Sequence, residues 1–228
     1  MLQFLFSNNI FTLEINIIPS FYNLMPSGEI DYFLFQCGAK LVKRDAAMVI
    51  NYDHKIEFIK SRRQCIKRAK NKGLSIEIND NYEDFWEKLL IPQMAERYGV
   101  KPVHKLEEIK QLATLFPNNI KQVSVYKEGS LVAGTTVFLT KTTIHPQYIS
   151  ANADRNNLES IDFLYNFLIN DFVKGKKYFD FSTSSEKNGT IINRGILFWK
   201  ESYGARTYST DSYLLETESY KDIDIKLL

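Results

Sequence analysis

The residues best suited to chemistry lie together in one stretch, Tyr178–Arg206, which reads YFDFSTSSEKNGTIINRGILFWKESYGAR. Its aromatic start predicts a short strand over 178–182, and a polar loop then leads into an amphipathic helix over about 190–203, which Gly204 ends. Asp180 stands between two phenylalanines, so its carboxylate must point away from the face that they share. Because ligand sites in α/β proteins favour the carboxyl ends of strands and the helix N-termini that follow, this stretch is our first candidate for a functional site.

Four side chains could serve as acids, bases or charge donors. Lys200, on the predicted helix, could neutralise a phosphate or an oxyanion, although a surface lysine with a buried stem would give the same pattern. Asp180 could orient a donor or accept a proton, or it could only cap a loop. His145 could act as a general base, whereas a single histidine is more often structural. Tyr148 lies three residues further on, and the two side chains face opposite ways unless a bulge at Pro146 realigns them.

A strongly basic amphipathic helix is predicted over residues 55–72, where eight Lys or Arg residues accompany a single acid. Arg62, Arg63 and Lys67 lie outside its apolar stripe. Such a face suits phosphate, whether in coenzyme A, a nucleotide-linked sugar or the acceptor end of a tRNA. A solvated face without a ligand is the alternative. Arg194, on the last predicted helix, is a further candidate for binding phosphate.

Composition limits the classes of protein to consider. The chain has 228 residues, 44% of them hydrophobic and 25% charged, which is typical of one large folded domain or of one domain plus a fragment. A net charge of +2 gives no argument for DNA binding. Two cysteines and three histidines, far apart in sequence, form neither a disulfide framework nor a metal motif, so we expect no metal and a reducing, cytoplasmic compartment. The N-terminus lacks the basic start of a signal peptide, and no apolar run is long enough to span a membrane.

The spacing of apolar residues predicts the elements that must position these side chains. Helices are expected at 26–36, 55–72, 80–98 with a kink or break at Pro92, 106–116, 158–174 and 190–203. Strands are expected at 39–52, 74–78, 122–126, 131–139, 143–150, 178–182 and 206–215. The strands at 122–126 and 131–139 form a hairpin across the turn KEGS. Pro146 cannot donate to a sheet ladder, so an edge or a bulge is expected in the strand at 143–150.

The predicted order from Leu74 onward, β-α-α-β-β-β-α-β-α-β, resembles that of the GNAT acyltransferase fold. Five stretches are also similar to FemAB-like aminoacyltransferases and related acetyltransferases with tandem GNAT-like halves: SRRQCIKRAKNKGL at 61–74, VAGTTVF at 132–138, YISA at 148–151, FDFS at 179–182 and NRGILFWKESYGA at 193–205. The resemblance implies an α/β (α+β), GNAT-like fold with a mixed twisted sheet flanked by helices. It further implies that residues 53–228 form one GNAT-like domain and that residues 1–52 are a remnant of a preceding half.

The resemblance also implies roles for individual residues. In this fold the strands at 143–150 and 178–182 part at one end, and the V-shaped gap between them holds the donor. Lys200 matches the lysine of the family's Phe-Lys pattern, and the implied catalytic set is Lys200, His145, Tyr148 and Asp180. The implied cofactor-binding residues are Ser150, Ala151, Asn152, Asn157 and Ser182. The stretch ANADRNNLES at 151–160 lacks the glycines that let a backbone approach pyrophosphate, which weakens the argument for coenzyme A.

Three functions remain open from the sequence. The leading hypothesis is an acyltransferase that moves an acyl group, such as acetyl, from acyl-CoA to an amine of a cell-envelope or polysaccharide precursor, for example a nucleotide-linked sugar. The second keeps the fold but takes its group from aminoacyl-tRNA. The third is a catalytically silent binding module, which the missing glycines and the short N-terminal part would favour. A homodimer is also left open.

Overall fold

An eight-stranded mixed sheet forms the centre of the computed structural model, which describes residues 1–223, with residue 98 described by its backbone alone. The strands of this sheet are β1 (Thr12–Asn16), β2 (Lys40–Asn51), β3 (Leu74–Asn79), β4 (Ile120–Lys127), β5 (Ser130–Leu139), β6 (Thr143–Ala151), β7 (Tyr178–Thr183) and β10 (Arg206–Glu216). A separate hairpin joins β8 (Ser185–Glu186) to β9 (Ile191–Ile192). The spatial order is β1-β10-β2-β7-β6-β5-β4-β3, and only β6 and β7 run parallel. Residues 224–228 of the predicted domain lie outside the described part.

Helices cover both faces of the sheet. They are α1 (Leu2–Ser7), α2 (Glu29–Gln36), α3 (Lys60–Lys70), α4 (Tyr82–Phe85), α5 (Ile91–Tyr98), α6 (Leu106–Leu115), α7 (Arg155–Leu158), α8 (Ser160–Phe167) and α9 (Arg194–Glu201). A π-helical turn, Trp86–Leu90, connects α4 to α5, and a second, Leu168–Phe172, extends α8. The interruption predicted at Pro92 takes the form of the first of these widened turns, and the helix then continues to Tyr98.

Separate apolar clusters hold the two faces of the sheet. On one face, alternate residues of β2, β5, β6 and β7 pack against α3, α8 and α9, and Phe179 and Tyr203 are completely buried there. On the other face, α4 to α6 bury Trp86 against β4 to β6, while Phe21 of the N-terminal segment is buried against β2. Asp180 lies on this second face, opposite the phenylalanines that flank it, as the alternation of side chains along a strand requires.

The predicted elements occur in the predicted order, and the differences have local causes. The basic helix begins only at Lys60, because residues 52–54 form a 3₁₀ turn and the backbone is extended at Lys55 and again at Ile59. The last helix begins only at Arg194, since the β8–β9 hairpin takes up the residues before it. The apolar helix predicted over 158–174 is interrupted at Glu159, which has a left-handed φ of +53°. Helix α1 was not predicted.

The N-terminal segment is part of the same sheet. Strand β2 lies in its interior between β10 and β7, and β1 forms one edge beside β10. The 3₁₀ turn Ser20–Tyr22 packs against β2 and β7, and the carbonyl of Phe21 accepts hydrogen bonds from the hydroxyls of Thr142 and Thr143. Whether residues 1–52 descend from a preceding GNAT-like half stays a prediction.

Candidate functional site

The parallel strands β6 and β7 separate soon after they meet. Their pairing covers residues 143–144 of β6 and 178–179 of β7. The register of β6 against β5 shifts between Pro146 and Tyr148, which leaves Gln147 as the extra residue of a bulge. Pro146 has no N–H to donate and a bulge bends its strand, so β6 turns away from β7 beyond this point. The predicted V-shaped gap is confirmed.

The bulge also decides how His145 and Tyr148 lie. Their partners on β5, Phe138 and Thr136, are two residues apart, so both side chains are on the same face of the sheet. Tyr148 is nevertheless buried, and its hydroxyl lies 2.6 Å from Nδ1 of His104. That contact directs the phenol toward the α5–α6 connection, whereas His145 faces the gap.

His145 and Asp180 form an ion pair at the apex of the gap. Nδ1 of the imidazole lies 3.1 Å from Oδ2 of the carboxylate. The Tyr22 hydroxyl donates to the same Oδ2 at 2.7 Å, and the backbone N–H of Ser182 donates to Oδ1 at 2.7 Å. Nε2 of His145 lies 2.8 Å from Oε1 of Gln147, the bulge residue. Both nitrogens of the imidazole and both oxygens of the carboxylate therefore have a hydrogen-bonding neighbour.

The pattern of acceptors around the imidazole favours its charged form. Both ring nitrogens of His145 face oxygen acceptors, and only the imidazolium donates from both. Burial alone would lower the pKa of His145, but the hydrogen bond and the charge of Asp180 outweigh it and raise that pKa. Burial would likewise raise the pKa of Asp180, yet the hydrogen bonds and charge of His145, together with the Tyr22 hydroxyl, hold it below its ordinary value. Each group thus favours the ionised form of the other.

Lys200 lies at the end of β7 and is buried, with 6% of its surface exposed. Its ammonium donates to two consecutive backbone carbonyls, those of Ser182 at 3.0 Å and Thr183 at 2.6 Å. Consecutive carbonyls of a regular strand point in opposite directions, and the left-handed φ of Ser182, +66°, lets both turn toward one amine. Burial lowers the pKa of Lys200 to about 8, and the charge of Asp180 opposes that shift.

A cavity of about 670 Å³ opens where β6 ends. Residues from five parts of the chain line it: the end of β6, the α7 and α8 region, and helices α3, α5 and α9. Its apolar wall includes Ile149, Ile161, Ile196 and Trp199, and its polar lining includes Arg62, Cys65, Gln93, Arg97, Arg155, Glu159 and Asp162. The cavity combines an apolar wall with several charged groups, which is the usual character of a ligand site.

Arg62 is held rigidly in the wall of this cavity. Its guanidinium pairs with the carboxylate of Asp162, donates to the Ser202 hydroxyl at 3.1 Å and lies 4.8 Å from the centre of the Tyr203 ring. The Tyr203 hydroxyl donates to the same carboxylate at 2.8 Å. An arginine with this many fixed partners loses little conformational freedom when a ligand binds beside it.

The start of α8 carries two carboxylates, and each is paired with cationic side chains. Glu159 is buried there, and its carboxylate pairs with Arg68 and with Lys72, the latter at 3.2 Å. Burial alone would raise the pKa of Glu159, but its two cationic partners lower it, so the group stays ionised. Asp162 adds a second carboxylate in the first turn of the helix. Negative charge at a helix N-terminus occupies the place that a phosphate would otherwise take.

The predicted phosphate-binding residues are not brought to one place. Among the described residues, Arg62 lines the cavity, whereas Arg63 and Lys200 do not. Arg63 turns back and donates to the Phe58 carbonyl at 2.6 Å. Lys67 and Arg194 are exposed on α3 and α9 respectively. The prediction that both arginines share a groove with Lys200 is therefore corrected: Arg63 is bound to backbone on the outside of α3, and Lys200 is bound to β7.

The predicted cofactor-binding residues lie near the cavity but differ in what they offer. Ser150 and Ala151 line it, although the Ser150 hydroxyl donates to the Leu89 carbonyl at 3.1 Å. Asn152 follows them, and its side-chain oxygen is buried without a hydrogen-bond partner among the described residues. The Asn157 carbonyl accepts a hydrogen bond from Lys72. Ser182 lies on β7, the other strand of the gap, where its carbonyl accepts a hydrogen bond from Lys200.

Sequence reasoning missed Tyr22, Gln147 and Asp162. Tyr22 comes from a stretch without helical or strand periodicity, so no local pattern connected it with Asp180 across 158 residues of chain. Gln147 follows Pro146, and the expected bulge was a signal that its side chain could be redirected. Asp162 lies on an apolar helix, where a lone carboxylate was a signal of a buried cationic partner.

The described part of the chain contains neither a group of metal ligands nor a membrane-spanning helix. Within residues 1–223, no three His, Cys, Asp or Glu side chains are grouped so that they could hold a metal ion. None of the helices formed by these residues is long and apolar enough to cross a bilayer.

Comparison with known proteins places this geometry in a structural context. No protein-family model and no curated protein matches the sequence. Among solved structures, FemX superposes with a TM-score of 0.69 at 10% identity, over 96% of this chain and 75% of FemX. The chain has a FemX-like fold. The structure of L-PGS from Bacillus licheniformis matches with a TM-score of 0.55 at 13% identity, over 87% of this chain and 71% of that protein.

A third structure has the same fold. It is the C-terminal domain (DUF2156) of a putative lysylphosphatidylglycerol synthetase from Agrobacterium fabrum, with a TM-score of 0.54 at 14% identity, over 84% of this chain and 67% of that one. At these identities the likeness establishes the fold alone. The predicted α+β architecture is confirmed: a mixed eight-stranded sheet flanked by helices, in the arrangement that FemX also has.

Proposed function

We propose that the chain is a cytoplasmic acyltransferase that passes an aminoacyl group from aminoacyl-tRNA to an amine of a cell-envelope or polysaccharide precursor, such as a nucleotide-linked sugar. One observation carries the proposal: where β7 has parted from β6, a buried ammonium, Lys200, is bound to the end of β7 and lies close enough to Asp180 of the ion pair for that carboxylate to raise its pKa. The end of β6 then continues from the gap into the wall of the cavity. A fold shared with several other proteins would not by itself support an activity.

Lys200 is suited to stabilise the oxyanion of acyl transfer. Two of its three N–H groups donate to the carbonyls of Ser182 and Thr183, so the third can donate to a carbonyl oxygen placed in the gap. With a pKa of about 8 it is mostly protonated at neutral pH, and its burial strengthens the attraction to developing negative charge. The amine nitrogen attacks the ester carbon, the bond to the ribose oxygen breaks, and that oxygen takes the proton that the amine loses.

Asp180 and its partners support Lys200 electrostatically. The carboxylate raises the pKa of Lys200 against the effect of burial, and so helps to keep the ammonium charged. His145 and Tyr22 in turn fix the position of the carboxylate. In this proposal Lys200 contacts the reacting atoms, while Asp180, His145 and Tyr22 act as positioning residues.

Two features support aminoacyl-tRNA over acyl-CoA as the donor. At the start of α8, Glu159 already pairs with Arg68 and Lys72, so these two cations are engaged by a carboxylate rather than free to hold a pyrophosphate. On α3, Arg63, Lys67 and Lys70 are exposed at intervals of four and three residues, so they form one cationic row that suits a phosphodiester backbone. One of the structural matches is named for a lysylphosphatidylglycerol product, in which the transferred lysyl group is an aminoacyl group.

Acyl-CoA remains the second candidate for the donor. The V-shaped gap supports it, since a pantetheine arm could pair with the free edges of β6 and β7. The cavity also offers Arg62 and Arg155 to a phosphate.

The donors can be distinguished by thermal shift and transfer assays on the complete chain. We expect a bulk pool of aminoacyl-tRNA to raise the melting temperature and acetyl-CoA not to do so. Replacing Arg63, Lys67 and Lys70 by Gln together should weaken tRNA binding. The logarithm of the association constant should then fall less steeply with the logarithm of salt concentration, with a slope smaller in magnitude by about 3. Lys40→Gln, an exposed residue of β2, is the matched control. Stabilisation by acetyl-CoA alone would point to the second donor, and no response to either donor would point to a binding module.

A further inference from the structure

A group of exposed apolar side chains lies beside the mouth of the cavity. Its members, here called the α9 patch, come from the segment before α3, from β9 and from α9, and their exposed fractions lie between 38% and 64%: Ile56, Ile59, Ile191, Ile192, Ile196 and Phe198. Phe198 is the most exposed of them, at 64%. Singly exposed apolar residues are common on protein surfaces, whereas a contiguous group indicates an interaction site.

The α9 patch extends over two sides of helix α9. Phe198 and Ile59 line the same shallow surface groove, together with Arg206. Ile196 and Trp199 face the cavity on the other side of α9. Successive residues of a helix project about 100° apart, and Gly195 therefore projects between Phe198 on one side and Trp199 on the other. Because glycine has no side chain, nothing at this position separates the two sides.

Exposed cations outnumber exposed acids around the α9 patch. Lys60, Lys187, Arg194 and Arg206 are exposed at its edges, whereas Glu57 is exposed between Ile56 and Ile59, Glu186 is exposed opposite Ile191, and Glu201 is half-buried. The exposed apolar residues of α2, including Phe35, have the opposite setting, because two acids occupy the first turn of that helix. Compared with α2, α9 is therefore the helix whose surroundings better match an anionic partner.

We propose that the α9 patch docks on the surface of an anionic lipid bilayer. Exposed isoleucine and phenylalanine side chains can enter the acyl-chain boundary of a lipid layer, while flanking lysine and arginine reach anionic headgroups. Aliphatic side chains are poor stacking partners for bases, which argues against RNA at this position. Docking would bring the cavity mouth to the membrane surface, so the acceptor would be one presented there.

The natural tryptophans provide the assay. Trp86 is completely buried and gives a constant background, whereas Trp199 is half-buried beside the α9 patch. The complete chain is mixed with phosphatidylcholine vesicles that contain about one third of phosphatidylglycerol, with and without brominated acyl chains. We expect co-sedimentation with these vesicles, quenching of Trp199 by the brominated lipid, and much weaker binding to pure phosphatidylcholine.

Variants distinguish insertion of the α9 patch from adhesion elsewhere. Phe198→Ser should weaken vesicle binding about tenfold or more, because one large apolar side chain is removed from the lipid. Phe35→Ser on α2 is the matched control, and we expect it to bind as the parent chain does. Arg194→Gln with Arg206→Gln should weaken binding most at low salt.

Three results would overturn the proposal: no binding to anionic vesicles, equal losses in the Phe198 and Phe35 variants, or a dimer in solution that Phe198→Ser dissociates. The last would make the α9 patch an interface between copies of the chain. Because the assay contains neither donor nor acceptor, its outcome does not depend on the proposed transfer activity.

Discussion

Replacement of Lys200 by Met tests whether a buried charge is kept in this fold at the expense of stability. The ammonium is 6% exposed and its pKa is about 8 rather than the ordinary 10.5, with burial as the main cause. A difference of this size corresponds to about 3 kcal/mol of stability. The sign follows from proton binding: between pH 8 and 10.5 the unfolded chain holds the proton and the folded chain releases it, so stability rises with pH across this window. Below pH 8 the full penalty of the buried charge applies.

We therefore expect Lys200→Met to remove this dependence on pH. At pH 7 the variant should gain stability relative to the parent chain, although the loss of two hydrogen bonds to the Ser182 and Thr183 carbonyls offsets part of the gain. That offset does not depend on pH. The difference in unfolding free energy between variant and parent should thus shift by about 3 kcal/mol between pH 7 and pH 10.5, against the variant.

Urea denaturation at a series of pH values measures this difference directly. Lys40→Met, at an exposed site on β2, is the control and should follow the parent chain at every pH. The same Lys200 variant should lose at least about tenfold in transfer rate if the amine stabilises an oxyanion. A stability difference that stays constant from pH 7 to pH 10.5 would refute the account of Lys200 as a desolvated charge.

Two further changes test the surroundings of the site. Tyr22→Phe removes a hydrogen bond from the Asp180 carboxylate, which also pairs with His145. Without that hydrogen bond the negative charge of the carboxylate acts more strongly on the imidazolium, so the pKa of His145 should rise in an NMR titration. An unchanged or lower pKa would contradict this. Gly204→Ala would place a Cβ 2.2 Å from the carbonyl of Ile56 at a φ of +88°, so we expect a loss of roughly 3 kcal/mol or more in thermal unfolding. Gly175→Ala, with a similar φ and open space, should cost only about 1 kcal/mol, and equal losses in the two variants would argue against the close contact.

Local pattern was sufficient to predict most of the sheet and one important irregularity. The alternation around Asp180 predicted which face its carboxylate occupies, because side-chain direction in a strand depends only on parity. Pro146 predicted the bulge and the parting of β6 from β7, because proline lacks the N–H that a regular ladder needs.

The contents of the site could not be predicted in the same way. Arg62 and Arg63 contribute the same charge to the predicted basic helix, yet Arg62 pairs with Asp162 and Arg63 donates to a backbone carbonyl. The two arginines project from different directions of the helix, but this difference predicts their partners only when the position of the neighbouring helix is known. The sequence does not distinguish Lys200 from a surface lysine, because its burial depends on the turn of the backbone at Ser182, which no local pattern predicts.

The position of β10 has a consequence for how the chain folds. This strand lies between β1 and β2, and Thr12 pairs with Glu216, about two hundred residues away. The N-terminal half of the sheet can close only after β10 arrives, and such distant pairings carry a large loop-closure entropy and form slowly. Until then the apolar residues of β1 and β2 lack their partner strand. We expect the β3–β6 meander, whose strands are sequence neighbours, to form first, and Tyr22 to reach Asp180 late. Formation of the Tyr22–Asp180 hydrogen bond would then indicate that the whole sheet has formed.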